Sequence, residues 1–337
     1  MKNPLKNLSI GVFLVLCAQQ ALAVGQIDKK AGWGIKLYLN VGYGSSRSQF
    51  DTDDDNAVTP DLESSGEKIK DTKVFPLVRL DYTLSNLKTQ FFLGQARENI
   101  VRGLFQLEVG VAHMLGEKEL LEVAYSPKIS GLSKTWEDPY VTGVAREKTD
   151  FSAQGVRIRW RNALDTPLTL RYGYASSDID DERSGEFLGL SPSQRSDLDR
   201  EGDYHRLTGE YAVFSNDTTK VTPLLSYTRG NTDGEAMGYD GYRIGLETKH
   251  AFGKRHRTSL YFDYEHRRHL ESNPIQAFNK RQKDDEFGIT GTYSYLAPFG
   301  WKNTSIIALA KYDRSTSNIS FYEIKNAGVS IGFGWEY

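Results

Sequence analysis

Gly328–Val329–Ser330–Ile331–Gly332–Phe333–Gly334–Trp335–Glu336–Tyr337 puts its bulky apolar residues on one parity and its small or polar residues on the other. Successive side chains point to opposite faces only in a β-strand, so this stretch is a strand with one apolar and one polar face. A soluble protein gains nothing by ending such a strand on an aromatic residue. A transmembrane barrel does, because the apolar face meets lipid and the last aromatic sits in the interfacial girdle. The opposite end of the chain repeats the pattern. Trp33, Ile35, Leu37, Leu39, Val41 and Tyr43 alternate there with Gly34, Lys36, Tyr38, Asn40, Gly42 and Gly44.

Upstream of that strand lie a positive start (Lys2, Lys6), an apolar run from Leu8 to Ala18 and the small-x-small triplet Ala21–Leu22–Ala23. Residues 1–23 are therefore expected to be a cleaved secretory signal, too short to anchor a membrane. Residues 24–337 are then one barrel with no internal domain boundary and no plug domain ahead of Trp33. Cys17 is the only cysteine and falls inside the signal, with bulky Leu16 before it speaking against a lipoprotein. The mature chain is expected to hold no disulfide and no thiol chemistry.

After the signal no stretch approaches the length of a membrane helix, and mean hydropathy is negative. Gly (31), Tyr (19) and Phe (16) suit short strands, tight turns and aromatic girdles. The full-chain charge of −2 falls to −4 once Lys2 and Lys6 leave with the signal. That mild acidity disfavours nucleic acid as a partner.

Alternating segments recur along the whole chain. They centre on Val78–Leu84, Thr89–Leu93, Phe105–Val111, Leu121–Tyr125, Val156–Trp160, Leu168–Tyr174, Leu207–Val213, Val221–Tyr227, Tyr242–Leu246, Leu260–Tyr264 and Phe287–Tyr295. A further strand lies near 304–312, where adjacent Ile306 and Ile307 leave the register open. With the two terminal strands this predicts an all-β, antiparallel up-and-down transmembrane barrel of about fourteen strands. Twelve is the runner-up, if a weak pair merges. Short connections (85–87, 114–119, 162–167, 214–219, 250–257, 296–303) should alternate with longer ones (45–72, 95–103, 126–151, 175–203, 229–239, 267–284, 313–323).

The polar parity carries charge. Arg157, Arg159 and Arg161 are three successive lumen-facing guanidinium groups, and Arg171, Arg206 and Arg79 share that face. Asp81, Glu108, Glu122, Asp263 and Glu265 are the lumen carboxylates expected to face or flank them. These eleven residues are the predicted pore lining. Like charges two residues apart persist only where water or counter-charges solvate them. A basic and an acidic stripe would set a transverse field in a wet pore and tune its selectivity. The alternative is a closed structural or surface-interaction barrel held by lumen ion pairs.

Chemistry other than transport finds little support. Asp51, Asp53, Asp54 and Asp55 faintly suggest a calcium loop, but Asn56 replaces the turn glycine and Leu62 the bidentate glutamate. No metal site and no cofactor are expected. A barrel hydrolase would need a triad; His113 has no serine nearby in sequence, and Asp203–Tyr204–His205 lacks a paired acid. No catalytic residue is expected.

Gly34–Tyr43 with Ser45, Ser46 and Ser48–Gln49–Phe50, together with Pro76–Tyr82 and Phe91–Gly94, resembles an uncharacterised family of Gram-negative outer-membrane proteins of the domain-of-unknown-function kind. The resemblance implies a barrel in the bacterial outer membrane, in contact with lipid and lipopolysaccharide, and implies no activity. The ending also resembles the signal read by the barrel assembly machinery, which would be carried by Phe333, Trp335 and Tyr337. More loosely, the architecture is similar to monomeric fourteen-strand porins. That likeness implies diffusion of small polar solutes.

Overall fold

Alternation becomes strand along the whole chain of this computed structural model, which describes residues 27–96, 101 and 106–337. The expected signal and the Phe105 start of one strand lie outside those residues. Sixteen strands follow in order: β1 (Gly32–Arg47), β2 (Lys68–Thr83), β3 (Thr89–Gln95), β4 (Leu107–Met114), β5 (Leu120–Ser126), β6 (Lys134–Trp136), β7 (Lys148–Arg161) and β8 (Leu168–Ile179). Then come β9 (Gly202–Tyr211), β10 (Phe214–Ser215), β11 (Thr219–Thr232), β12 (Tyr239–Phe252), β13 (His256–Ser272), β14 (Arg281–Leu296), β15 (Thr304–Ser317) and β16 (Ile324–Glu336). The three-residue β6 only flanks β7, and the two-residue β10 belongs to a turn. The other fourteen pair antiparallel with their neighbours, and β1 pairs with both β2 and β16. The ring is closed, so no barrel strand is left as an unpaired edge.

The C-terminal strand is the seam, and its sequence explains how it fits. Leu39 opposes Phe333 and Leu37 opposes Trp335, while the Tyr337 N–H donates to the Ile35 carbonyl at 2.8 Å. Val329, Ile331, Phe333 and Trp335 face outward, exposed like Leu37, Leu39 and Val41 beside them. On the inner parity, a Cβ on Gly332 would meet Asn40 Oδ1 at 2.0 Å, and one on Gly334 would meet Tyr38 Cε1 at 2.4 Å. The glycines therefore give the Tyr38 and Asn40 side chains room to lie across β16, where the Tyr38 hydroxyl reaches Glu336. The open register of β15 is settled by burial: Ile307 and Leu309 point inward, and Ile306 takes the outer parity.

Aromatic groups mark where the apolar belt ends. Toward one rim the outward tyrosines Tyr174, Tyr227 and Tyr264 donate to Asp203, Asp240 and Asp285 on the following strand, at 2.8, 2.6 and 2.5 Å. Each ring covers apolar surface while its hydroxyl reaches a charge, the amphipathic arrangement of a membrane–water boundary. Trp33, Phe299, Trp301, Trp335 and Tyr337 crowd the opposite rim.

Strands run beyond the expected segments at the first rim. β2 starts ten residues before Val78, and β13 and β14 continue through His266, Arg268, Lys283 and Asp285. Connections 233–238 and 318–323 are correspondingly shorter than expected. Upper β2 shows no alternation because Lys68–Lys73 is polar on both faces apart from buried Ile69, and just below it both faces are apolar, with Phe75 and Leu77 buried inside and Val74 and Val78 exposed outside.

Candidate pore lining and mouth

Inward parity brings the eleven predicted lining residues onto the inner wall, where most are bonded to a partner rather than set in separate stripes. On β2, Arg79 Nε lies 2.8 Å from Asp81, which also holds Lys36 of β1 at 3.1 Å. Glu108 of β4 is 1 % exposed and receives Arg157 of β7 at 3.0 Å. Glu122 of β5 binds Arg157 at 3.3 Å through one oxygen and Arg161 at 2.7 Å through the other. Arg171 of β8 meets Glu210 of β9 at 2.5 Å, and Arg206 Nε donates to Thr228 of β11 at 3.0 Å. Across the lumen Glu265 of β13 bridges Arg243 and Arg267, with Asp263 3.7 Å from Arg243. Buried charges survive in this wall because each carboxylate is met by guanidinium or ammonium groups.

Pairing leaves a residue of the expected asymmetry. The β4–β9 wall carries Arg157, Arg159, Arg161, Arg171 and Arg206 against Glu108, Glu122 and Glu210. The β12–β15 wall carries Arg243, Lys249, Arg267 and Lys311 against Glu247, Asp263, Glu265, Asp284, Glu286 and Asp313. The two walls thus differ in the sign of their net charge, even though most of the charges on each are paired within it.

Both ends of the lumen are narrowed by chain segments. Ile27 is buried against Phe92, Ala112, Leu120 and Ala124 on the inner faces of β3 to β5, and Gln90 donates to Asp28 at 2.7 Å. Val101, from the β3–β4 connection, packs on Ala153 and Ala175 of β7 and β8. It therefore reaches past β4 and β5 toward the inner wall beyond them.

The wide mouth is capped by an apolar core that no periodicity announced. Tyr140, Leu198, Ile275, Phe278, Ile319, Phe321 and Tyr322 form it, with Phe50, Leu62, Leu188, Leu190 and Met237 packed around. These residues come from six loops spread around the ring. Tyr140 follows β5 and Tyr322 precedes β16, almost opposite one another, yet their hydroxyls meet at 2.7 Å. Strand spacing and tilt make a fourteen-strand ring roughly 28 Å across, so this bond lies over the centre of the mouth.

Buried polar contacts tie the cap together. Arg146 gives its guanidinium to the carbonyls of Gln49 (2.8 Å), Pro139 (3.3 Å) and Asn56, and stacks 4.5 Å above fully buried Trp136. Burial pulls Arg146 down to about 10 from its usual value. Burial likewise pushes the Tyr140 and Tyr322 hydroxyls above the ordinary tyrosine range. The acidic loop is part of this scaffold. Asp51 and Asp53 accept backbone N–H groups of Asp53 and Asp55, and Asn56 donates to Ser48 and Asp51 carbonyls. Asn56, where a calcium loop would have glycine, is thus a crosslink inside the loop.

Other candidate groups are dispersed. His113 bonds Thr89 at 2.9 Å and His205 bonds Tyr172 at 2.8 Å, both on the outward parity. Among the described residues no serine is hydrogen-bonded to either. Asp199, Glu201 and Asp233 converge in the cap, a trio absent from the sequence reading because Asp233 lies on a different loop. Asp199 and Glu201 accept backbone N–H groups of Glu201 and Ile179.

A family model described as "Protein of unknown function (DUF2860)" matches residues 32–336. No curated protein matches the chain in sequence. Among solved structures the chain is similar to the CymD monoaromatic hydrocarbon channel at 10 % identity, covering 98 % of this chain and 93 % of that one, with a TM-score of 0.48. It is also similar to the outer membrane channel DcaP of Acinetobacter baumannii (11 %, 93 % and 100 %, 0.44) and the P. putida toluene transporter TodX (11 %, 91 % and 90 %, 0.45). No residue role is carried over from them. The family match runs from the first residue of β1 to the last of β16, so the chain belongs to the DUF2860 family of proteins of unknown function, as the resemblance of its first strands implies.

Proposed function

We propose that this protein is a bacterial outer-membrane channel for small polar or anionic solutes. One observation carries the reading: the β4–β9 inner wall holds five arginines against three glutamates, inside a ring too wide for its own side chains to fill. A wall of that sign draws anions toward it and, facing a net acidic wall, orients dipolar solutes in transit. The cap is the lid of such a channel, so solute entry requires its loops to part. Phe333, Trp335 and Tyr337 fit the role of the segment read by the assembly machinery. Lipid and lipopolysaccharide would meet the outer belt. Nothing in the reading calls for catalysis or a cofactor.

A second reading draws on the same cap. An apolar core over the mouth and an ion-paired lumen also suit a closed barrel that presents its loops to the outside. Planar-bilayer recording under a salt gradient separates the two. Discrete conductance with a reversal potential shifted toward anions is expected; a folded but silent barrel, with and without the cap aromatics, would overturn the channel.

A further inference from the structure

Four cations stand in one row across the seam, at the rim where the longer connections lie. Arg47 of β1 faces Lys68 of β2 on one side and Lys325 of β16 on the other, and Lys325 in turn faces Arg314 of β15. Lys70 lies one outward position below Lys68. All five are exposed and share the outward parity of Tyr43, Val74 and Val329. Like charges directly opposite on adjacent strands repel. Among the described residues no carboxylate forms an ion pair with any of the five. Glu67 and Glu323 adjoin the row in sequence without pairing to it, and Asp313 turns inward to Lys311. Elsewhere on this rim outward cations are met, Arg229 by Asp240 at 2.9 Å and Lys128 by Asp178 at 2.6 Å. The seam sector therefore carries unmatched positive charge.

The height of the row is that of a lipid headgroup. Lys325 and Trp335 share the outward face of β16 ten residues apart, about 33 Å along the strand. With barrel strands tilted, that is about 25 Å along the membrane normal, the height of an apolar band. Trp335 lies in the aromatic rim on the other side, so Lys325 and its row stand where the band gives way to headgroups. Long loops mark this side as the extracellular one. We propose that Arg47, Lys68, Lys70, Arg314 and Lys325 hold the phosphate groups of lipopolysaccharide in the outer leaflet. Strands about 4.8 Å apart spread the row over about 14 Å, enough to engage more than one phosphate. Arginine forks take a phosphate bidentately and lysines take it as point charges. A cluster of basic side chains beside a bilayer draws anionic headgroups. Bound phosphates would cancel the repulsion across the β1–β16 seam. The site rests on the barrel's place in the outer membrane and not on its conducting a solute.

The test presents the folded full chain in detergent with diphosphorylated lipid A and, separately, with its dephosphorylated form, and counts bound lipid by native mass spectrometry. The phosphorylated lipid is expected to bind, less tightly as chloride rises, and the dephosphorylated form to bind about tenfold more weakly or less. Arg47→Gln with Lys325→Gln should weaken binding about tenfold or more. Lys254→Gln with Arg255→Gln, the same charge change at an exposed turn on the other rim, should change nothing. Heat-modified gel migration gives a second readout: lipid A should raise the wild-type transition and leave that of the seam variant unmoved. If the seam variant fails to fold, Lys68→Gln with Lys70→Gln on β2 is expected to weaken binding in the same way. No binding by the wild type, equal binding of the dephosphorylated form or equal binding by the seam variants overturns the site. Displacement by inorganic phosphate beyond that by chloride at equal ionic strength would assign the row to free anions and overturn it too. Planar-bilayer recording on the same preparation keeps the readings apart. A conducting barrel that ignores lipid A loses the site and keeps the channel; a silent barrel with seam-dependent binding does the reverse.

Discussion

The lumen wall and the cap solve opposite problems with the same chain. The wall is charged inside and apolar outside, the inverse of a soluble protein, and its interior contacts are ion pairs between neighbouring strands such as Arg157 with Glu108. The cap is ordinary in the other sense: Phe321 and Tyr140 are fully buried in a core of aromatics, and Arg146 is spent on carbonyls. Wall contacts are set by register and hold wherever the sheet holds. Cap contacts join loops distant in sequence and depend on how those loops pack and on the buried hydrogen bonds between them. Cap and wall should therefore fail separately, and substitutions can drive them apart.

The largest effect is expected from Phe321→Ala. Deleting a fully buried ring costs about 3–5 kcal/mol, enough to let the cap open while the barrel stays folded. Limited proteolysis should cut the 127–147 loop and channel open time should rise; a cap still resistant to protease would refute its independence. Next, Glu108→Gln leaves Arg157 short of a buried partner at a cost of about 3 kcal/mol. Here the urea midpoint of the whole barrel should fall with cap resistance intact below the transition. Smaller, about 1–3 kcal/mol, is Gly332→Val, whose side chain must displace Asn40 from β16; heat-modified gel migration should shift at lower temperature. Asn40→Gly in the same chain should recover part of the loss.

The smallest effect is pH-dependent and confined to the cap. Burial raises Asp199 and Glu201 above their ordinary values of 3.8 and 4.5. The folded loop then holds protons that the unfolded loop releases, so stability falls as pH rises from those ordinary values through the raised ones. Solvent screening keeps the gain at mild acid to a fraction of a kcal/mol. Hydrogen-exchange protection of the Ala236 amide, which bonds the Asp197 carbonyl, should be greater at about pH 4 than at about pH 7. Asp199→Asn with Glu201→Gln should flatten that difference, and an unchanged slope would assign it to other groups.

The same division decides how much could be read from the sequence. Strands such as β1 and β16 announce themselves, because lipid on one side and water on the other force a period of two on residues like Leu39 and Phe333. Arg157, Arg159 and Arg161 follow from that parity alone. Their partners do not, since whether Glu122 meets Arg157, Arg159 or Arg161 depends on stagger and rotamer rather than on alternation. The cap is invisible for a stronger reason. Tyr140, Phe278 and Phe321 stand singly in polar loops with no repeat, and only the closed ring brings them together. Ile27 and Val101 are equally silent, because one residue entering a lumen leaves no pattern behind.

The hydroxyl bond between Tyr140 and Tyr322 joins residues 182 positions apart in the chain. Neither partner is in place until β5, β7, β15 and β16 have all been laid down and the seam to β1 has shut. Contacts of such long range form late, because loop-closure entropy opposes them until the intervening structure exists. The lid is therefore also a receipt for finished assembly: a barrel stalled with its seam open would expose the Tyr140 loop to proteases, and a closed one would withdraw it.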